Sequence, residues 1–278
     1  MNKYDTRNPE TQIHIFETTC PDERQTDDIM QLVRLCQLHD GISISCPLDP
    51  DDPARHFLLY GTSDHTCPLL SVLSVLQYDT ESAECTAFTH PDWRRQGFFS
   101  ELLDRALETI GDCDILFPVS GHCPDTMAVL DAIGAEPESE ELQMELELTE
   151  LKPEELNPAK RNMTQAELLS DLLRYDTDFE TGITEWTLFK DSDCTRVLGS
   201  CQTSFISDDC VCLHHVEILS EFRGQGYGTR LMQQLLDALQ NSRIHRVILQ
   251  VSGDNTAAIA LYKKQGFRIT KTLSFYLY

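Results

Sequence analysis

Three glycines stand directly in front of a helix-like apolar pattern near the end of the chain. The stretch RGQGYG, residues 223–228, is followed by leucines at helical spacing in TRLMQQLLDAL. The first turn of a helix has unpaired backbone N–H groups and a partial positive charge, and a loop without side chains lets an anion approach them. Gly224, Gly226 and Gly228 therefore favour a cradle for a diphosphate, with Arg223 as a nearby cation. A tight strand-to-helix turn without any ligand would explain the same glycines.

The spacing differs from two other phosphate-binding loops. A Walker loop would continue with Gly-Lys-Ser or Gly-Lys-Thr, and no such sequence follows Gly228. A dinucleotide fingerprint that began at Gly224 and Gly226 would need a third glycine where Thr229 stands. If this loop binds a diphosphate, it therefore does so with a sequence that is neither a Walker loop nor a dinucleotide fingerprint.

The chain contains two copies of one sequence plan. The tripeptide VSG occurs at 119–121 and again at 251–253, and the same shift of 132 residues takes Gly134 to Gly266. A weaker glycine loop, RRQGFF at 94–99, lies 129 residues before the second loop. A repeat of this length indicates two similar structural units rather than a solenoid.

Each copy predicts the order strand, glycine loop, helix, strand, helix, strand. In the second copy the strands are CVCLHHVEIL, HRVILQV and FRITKTLSFYLY, and the helices are YGTRLMQQLLDALQ and NTAAIALYKKQG. Asn255 caps the second helix and Gly266 ends it. The first copy repeats this order and closes with the strand ELQMELEL. We therefore predict an α/β fold with domains at 1–150 and 151–278.

Two blocks of the second copy resemble one family. RGQGYG is similar to motif A, [RQ]xxGx[GA], of the GNAT superfamily of acetyl-CoA-dependent N-acetyltransferases, and NTAAIALYKKQGF, 255–267, resembles that family's second block. The resemblance implies two tandem GNAT-like domains, each a mixed, mostly antiparallel twisted sheet flanked by helices. It also implies acetyl-CoA as co-substrate, held in a gap between two parallel strands, here HHVEI and VILQV.

The resemblance assigns roles to residues of the second copy. Loop amides bind the diphosphate, and here they belong to Gly224, Gln225, Gly226, Tyr227, Gly228 and Thr229. The backbone of Val216 and Ile218 would pair with the pantetheine arm. Asn255 would contact the cofactor as well as cap its helix, and Tyr262 would protonate the leaving thiolate. Since Asn255 and Tyr262 are seven residues apart, about two helical turns, they share one helix face.

The implied chemistry is direct attack of an amine on the thioester. The amine must be neutral when it attacks, so a proton acceptor or a water chain is needed. A strand amide near Ile218 would stabilise the oxyanion. Several family members have Glu in the strand before the second block, but this chain has Gln250 there, which is not a useful base.

Three side chains of the other strand are alternative bases. Regular alternation puts His215 and Glu217 on one face of the strand and His214 on the opposite face, together with Val216 and Ile218. We therefore rank His214 below His215 and Glu217, and a water relay stays open as a further alternative.

The first copy keeps the pattern of the fold but loses the residues of the chemistry. Its loop has Phe99 where a small residue belongs. Cys123 stands in place of the second copy's Asn, and Leu130 in place of its Tyr. We therefore predict that the first copy is catalytically silent.

Composition narrows the choice of partners. The chain has 46 acidic and 22 basic side chains, a formal net charge of -24, which argues against nucleic acid or an anionic membrane as the main partner. A cationic acceptor is compatible with this charge. The expected location is cytoplasmic, because no apolar run could cross a bilayer and the start of the chain lacks the order of a secretory signal. Monomer and homodimer both remain open.

The cysteines indicate no metal site. Eleven are present and none forms a CxxC pair. Cys210 and Cys212, with His214 and His215 close behind, have the residue types of a metal site. We favour reduced and mostly buried thiols over a metal site, and we expect no metal.

The sequence thus predicts an N-acetyltransferase that transfers the acetyl group of acetyl-CoA to a primary amine, with its active site in the second copy. The alternative is a non-catalytic acyl-CoA-binding sensor or regulatory protein with the same fold, which Gln250 and the undecided base favour. The acceptor stays open, since no motif marks residues 160–190, the region that shapes the acceptor site in this family.

Overall fold

The computed structural model describes residues 12–49, 54–62, 68–77, 79–111, 113–121, 123–148, 172–191 and 193–278. Backbone contacts divide the chain into two units. The first unit comprises Met1–Ser139 and Leu273–Tyr278, and the second comprises Glu140–Thr272. No helix in the described ranges combines the length and the apolar character that a membrane span requires.

The first unit is a mixed sheet with helices packed on it. Its elements are β1 (Gln12–Thr18), α1 (Glu23–Asp40), β2 (Arg55–Thr62), β3 (Leu69–Gln77), β4 (Ser82–Thr89), α2 (Phe98–Ile110), β5 (Asp114–Ser120) and α3 (Pro124–Ile133). Strands β1 to β4 form an antiparallel meander, and β4 and β5 are parallel neighbours. Two apolar clusters fill this unit, one with α2 and one with α1.

The second unit repeats this plan. Its elements are β7 (Leu172–Asp178), β8 (Ile183–Phe189), β9 (Val197–Ser207), β10 (Cys210–Ile218), α4 (Tyr227–Gln240), β11 (Arg246–Ser252) and α5 (Thr256–Lys264). Strands β7 to β10 are antiparallel, and β10 and β11 are parallel. The leucines that predicted α4 are buried in one core with β10 and β11, as the helical period requires. The predicted α/β architecture, with mixed and mostly antiparallel strands flanked by helices in each of the two units, is confirmed.

Two strands cross the boundary between the units. They are β6 (Glu136–Glu147) and β12 (Arg268–Leu277). Residues 141–147 of β6 pair antiparallel with β11 of the second unit, whereas residues 273–277 of β12 pair antiparallel with β5 of the first unit. Each copy of the plan therefore donates its closing strand to the other unit.

This exchange differs from the predicted domains, 1–150 and 151–278, in which each copy kept its own last strand. The structure ends the first unit at Ser139 and returns 273–278 to it. The apolar residues Leu142, Met144 and Leu146 are buried in the core of the second unit. Sequence pattern does not separate the two arrangements, because an alternating strand presents the same apolar face to either of two similar sheets.

Candidate active site

The site begins where two parallel strands separate. Strand β10 pairs with β11 only from Cys210 to Leu213, opposite Arg246 to Leu249. Beyond these residues the described ladder contains no further pair between the two strands, so a gap opens toward the glycine loop. The first unit has the corresponding gap, since β4 pairs with β5 only over Ser82–Glu84. The two parallel strands and the gap that the resemblance implied are therefore present.

A β-bulge lies in β10 at the point where the gap opens. Between the pairs His214↔Gln202 and Glu217↔Ser200, β10 has one residue more than β9. His215 adopts a left-handed φ of 53°, which is unusual for a residue other than glycine. Bulges re-aim side chains and are frequent next to active sites.

The bulge overturns the predicted facing of His214. Val211, Leu213, Val216 and Ile218 all pack in the core shared with α4, although Leu213 and Val216 are three residues apart. In a regular strand, residues three apart lie on opposite faces. The extra residue of the bulge reverses the alternation and so brings Leu213 and Val216 to the same face. His214 therefore lies on the face opposite Val216 and Ile218, not on their face as predicted.

Unpaired amides line the glycine loop. Gly224 and Gly226 have φ of 73° and 86°, and Gly226 caps α4 without any side-chain hydrogen bond. Within the part of the chain that the structure describes, no group accepts a hydrogen bond from the amides of Gly224–Thr229. A Cβ on Gly228 would lie 3.3 Å from Leu261 Cδ2, so glycine there lets α4 approach α5. The loop combines a helix N-terminus with open access for an anion.

Arg223 is held by the strand that precedes the loop. Its Nε donates to the carbonyl oxygen of Ile218 at 2.8 Å, and its Nη2 lies 3.5 Å from Oε1 of Glu217. The side chain of Gln225 donates to the carbonyl oxygen of Glu221 at 2.8 Å. Both contacts fix the path of the backbone through the loop, a role that the sequence did not predict for these residues.

Asn255 caps α5 and Tyr262 lies on it, as predicted. The Oδ1 atom of Asn255 accepts from the amide of Ala258 at 3.1 Å, so this side chain caps the helix. Tyr262 is 6% exposed, and its hydroxyl has no hydrogen-bond partner among the described residues. Burial, with a smaller contribution from the Cys201 thiol, raises the pKa of Tyr262 to about 12. Tyr262 is therefore a proton-bearing donor at neutral pH.

The candidate bases differ in their surroundings. The Nε2 atom of His214 is buried and has no hydrogen-bond partner. Burial, and then the charge of His215, lowers the pKa of His214, which favours its neutral form. His215 is exposed, and Glu217 is exposed beside the guanidinium of Arg223. Gln250 is exposed on β11, opposite Gln143.

The first unit repeats the loop geometry around different side chains. Arg95 and Gly97 have φ of 61° and 85°, close to the values at Gly224 and Gly226. A cleft of about 410 Å³ lies against this loop and is lined by apolar side chains that include Trp93, Phe98, Phe99 and Phe117. Its counterparts of Asn255 and Tyr262 are Cys123, which caps α3 without a side-chain hydrogen bond, and the buried Leu130.

An ion-pair cluster stands at the polar end of this cleft. Arg94 Nη2 lies 2.6 Å from Oδ2 of Asp40, and Arg94 Nη1 lies 3.1 Å from Oδ2 of Asp125. Arg94 Nε also donates to the carbonyl oxygen of Thr89 at 3.2 Å, as Arg223 does to Ile218. The arginine before the loop thus makes the same backbone contact in both units.

In the described ranges no group of three or more His, Cys, Asp or Glu side chains is arranged to hold a metal ion. Six of the ten cysteines in these ranges are buried: Cys36, Cys46, Cys85, Cys123, Cys201 and Cys210. Cys67 lies outside the described residues. Of the region 160–190, which is expected to shape the acceptor site, the structure describes residues 172–190.

Comparison with known proteins agrees with this geometry. Residues 149–267 match the model of the acetyltransferase (GNAT) family. N-alpha-acetyltransferase 30 of Schizosaccharomyces pombe is 38% identical over 61 residues, which are 22% of this chain and 41% of that protein. Mycothiol acetyltransferase of Corynebacterium efficiens is 27% identical over 223 residues, 69% of this chain and 73% of that protein.

Solved structures share the fold along the whole chain. A GCN5-related N-acetyltransferase from Sphaerobacter thermophilus has a TM-score of 0.64 at 16% identity, with 95% of each chain covered. A tandem GNAT protein from the clavulanic acid biosynthesis pathway has a TM-score of 0.62 at 15% identity, covering 96% of this chain and 98% of that one. At this identity the likeness establishes the fold.

Proposed function

We propose that this chain, whose residues 149–267 match the model of the GNAT acetyltransferase family, is an N-acetyltransferase that moves the acetyl group of acetyl-CoA to a primary amine. The observation that supports this most directly is the row of unpaired amides at Gly224–Thr229, at the mouth of the gap between β10 and β11. A diphosphate fits that row by charge and by hydrogen bonding.

The second unit would hold acetyl-CoA through its backbone. The amides of Gly224, Gln225, Gly226, Tyr227, Gly228 and Thr229 would donate to the diphosphate. The pantetheine arm would lie along β10 beside Val216 and Ile218, where the carbonyl of Ile218 already accepts from Arg223. The exposed Asn255 has its Oδ1 engaged in the helix cap, which leaves its amide N–H groups for the cofactor.

Once the amine is neutral, the reaction needs one further N–H proton removed and the departing sulfur stabilised. The amine nitrogen attacks the carbonyl carbon, the C–N bond forms, the C–S bond breaks, and the electron pair leaves with sulfur. An ordinary thiol has a pKa of about 8.5, well below that of Tyr262, so full proton transfer from Tyr262 to the departing thiolate is unfavourable. We therefore assign to Tyr262 a hydrogen bond to the departing sulfur, which is weaker assistance than the protonation that the resemblance implies.

The first unit lacks these groups. Leu130 offers no hydroxyl and Cys123 offers no amide, and Phe99 occupies the position where Gly228 lets two helices meet. The proposed role of the first unit is structural or regulatory rather than catalytic.

The acceptor is proposed only as a class. The name N-alpha-acetyltransferase, carried by one relative, points to peptide N-termini, and a structural neighbour is described as a glucosamine N-acetyltransferase region. The net charge of -24 favours acceptors that arrive as ammonium ions. A first panel of probes is therefore a peptide with a free N-terminus, glucosamine and lysine.

A matched pair of glycine variants tests the proposal. Gly226→Glu places a carboxylate in the diphosphate cradle of the second unit, and Gly97→Glu does the same at the corresponding loop of the first unit. Calorimetry with acetyl-CoA, together with thiol release on the probe panel, should show turnover lost in Gly226→Glu and kept in Gly97→Glu. Equal acetyl-CoA binding and turnover in Gly226→Glu and the wild type would refute the cradle, and tight binding without turnover of any amine would favour the non-catalytic alternative.

A further inference from the structure

Two buried side-chain atoms lack a hydrogen-bond partner in the described part of the chain. They are Oγ1 of Thr86 and Nε2 of His214. Buried polar atoms are rarely left unpaired in folded proteins, because the lost hydrogen bond costs about 1–3 kcal/mol. Each such atom therefore needs a physical explanation.

The two atoms occupy the same place in the two units. Ala83 in β4 lies opposite Ile115, and Val211 in β10 lies opposite Val247, which sets the two parallel pairs in register. Counting forward from these positions, Thr86 corresponds to His214. The count then shifts by one residue at the bulge, because Thr89 corresponds to Ile218 through their matching contacts with Arg94 and Arg223.

The surroundings of the two positions differ. Thr86 lies beside Ser74, which hydrogen-bonds to His56 at 2.8 Å and to the thiol of Cys46 at 3.0 Å. His56 and Ser74 are 2% and 1% exposed, so protein fills this face of the first unit. A threonine hydroxyl is also a poor proton acceptor at neutral pH. At this position the first unit therefore has a hydroxyl that is not a useful base, beside a cluster of buried side chains that already hydrogen-bond to one another.

His214 has the chemistry that Thr86 lacks. Of its two ring nitrogens, only Nε2 is both buried and unpaired. A neutral imidazole can accept a proton, and its lowered pKa keeps it neutral at pH 7. The bulge at His215 directly follows it and marks the point where the gap opens.

We propose that His214 Nε2 accepts the proton of the attacking amine; this rests on the proposed acetyltransferase function. An acceptor that arrives as an ammonium ion first releases one proton to solvent. The neutral nitrogen then loses a second N–H proton to Nε2 as its bond to the acetyl carbon forms, the sulfur leaves with the electron pair of the C–S bond, and the imidazolium returns its proton to solvent. The bond between the amine and Nε2 is the partner that the buried atom lacks.

The other candidates are less suited to this role. His215 carries the strained backbone of the bulge and is exposed. Glu217 is exposed and ion-paired with Arg223 at 3.5 Å, so its carboxylate already has a partner. The buried Nε2 of His214 has no partner in the described part of the chain, and a neutral imidazole can accept a proton there.

On the described strands, His215 is the titratable neighbour of His214 on β10, and Gln202 is its uncharged partner on β9. Glu185 and Asp176 continue the same cross-strand row on β8 and β7, and both are exposed. Gln250, on β11, is uncharged. The acidic end of this row suits an acceptor that arrives as an ammonium ion.

The first test compares His214→Gln with His215→Gln, using His245→Gln, at an exposed position after α4, as the control. With glucosamine and the peptide as probes, His214→Gln should lose at least about 100-fold in kcat/KM, with acetyl-CoA affinity unchanged within about twofold. The acidic limb of the kcat/KM profile should disappear in His214→Gln and remain in His215→Gln. A larger loss in His215→Gln, or an intact acidic limb in His214→Gln, would overturn the proposal.

A second readout does not depend on turnover. Nitrogen NMR of histidine-labelled protein, with His214 assigned through His214→Gln, reports which ring nitrogen carries the proton. At pH 8 we expect Nε2 unprotonated. A protonated Nε2 that donates to another protein group would refute the proposal even if no probe is acetylated. If the wild type neither bound acetyl-CoA nor acetylated any probe, the proposed acetyltransferase function itself would be refuted.

Discussion

Arg223 donates from Nε to the carbonyl oxygen of Ile218 at 2.8 Å and so ties the start of the glycine loop to the end of β10. Arg94 makes the equivalent bond to Thr89 in the first unit. Because both units keep this contact while they differ in the residues of the chemistry, the arginine serves first to set the geometry of the loop. Its charge toward a diphosphate is a second role that remains a proposal.

Arg223→Lys should therefore weaken acetyl-CoA binding through geometry rather than charge. A lysine keeps the cation but lacks the Nε–H in this position, and one lost hydrogen bond of about 1 kcal/mol predicts a roughly fivefold to tenfold weaker Kd. Unfolding stability should change by less than about 1 kcal/mol, because the side chain is 63% exposed. Calorimetry checks the affinity, with Arg243→Lys at another exposed site as control. An unchanged Kd would show that the hydrogen bond from Arg223 to Ile218 does not order the loop for binding.

Much of the fold followed from the sequence because it depends on local patterns. The apolar periods of α4 and β11, the Asn255 cap and the glycine start of α4 are all properties of short segments. The departures of the first copy, Cys123 and Leu130, were visible for the same reason. They are single substitutions at positions that the repeat aligns.

The rest depended on pairing, which sequence pattern does not fix. The exchange of closing strands leaves every apolar pattern intact, so nothing in β6 or β12 distinguishes it. The sequence does contain a sign of the bulge at His215, but that sign does not give the position of the extra residue. The two copies align with a shift of 128 residues at Ala83 and Val211 and 129 at Thr89 and Ile218, so one residue must be extra.

A glycine at position 199 of β9 lets that strand approach the end of β10 closely, just after the bulge. A Cβ added to Gly199 would lie 2.3 Å from the carbonyl oxygen of Glu217 and 2.5 Å from Cδ1 of Ile218. Because one of these is a backbone atom, Gly199→Ala must displace β10, and we expect a loss of about 2–3 kcal/mol in the free energy of unfolding and weaker acetyl-CoA binding. Urea unfolding and calorimetry measure both. Ser200→Ala, next to it, should stay within about 1 kcal/mol, and wild-type behaviour of Gly199→Ala would contradict the tight approach.

The ion pair in the first unit predicts a pH dependence of stability. Burial alone would raise the pKa of Asp40, but hydrogen bonds from Arg94 and His39 outweigh it and lower the pKa. A carboxyl with a lowered folded pKa stabilises fully above its unfolded value, near 3.9, and loses this contribution as pH falls through the folded value. With side chains only 8% and 17% exposed, Asp40→Asn should cost about 2–4 kcal/mol at pH 7.

Urea unfolding of the wild type and Asp40→Asn at pH 7 and at pH 3 tests this. The difference between the two proteins should shrink from pH 7 to pH 3, because below about 3.9 the unfolded wild type binds a proton that the lowered pKa of Asp40 resists in the folded state. Glu101→Gln, on the exposed face of α2, is a control that should show little effect at either pH. A difference that is the same at both pH values would mean that the ionised Asp40 does not stabilise the unit.

Tyr262→Phe separates a chemical role from a structural one. The hydroxyl has no partner among the described residues, so its removal should change the free energy of unfolding by less than about 1 kcal/mol. A hydrogen bond to a developing thiolate involves a charged acceptor and is worth about 1.5–3 kcal/mol, which predicts a loss of roughly 10-fold to 100-fold in kcat with unchanged acetyl-CoA affinity. Because the pKa of Tyr262 is about 12, Tyr262 keeps its proton up to pH 10. Its ionisation should therefore cause no fall in the rate of the wild type between pH 8 and pH 10. Tyr175→Phe, at an exposed site on β7, is the control. If Tyr262→Phe kept full kcat, the departing sulfur would have to be stabilised by a group other than Tyr262.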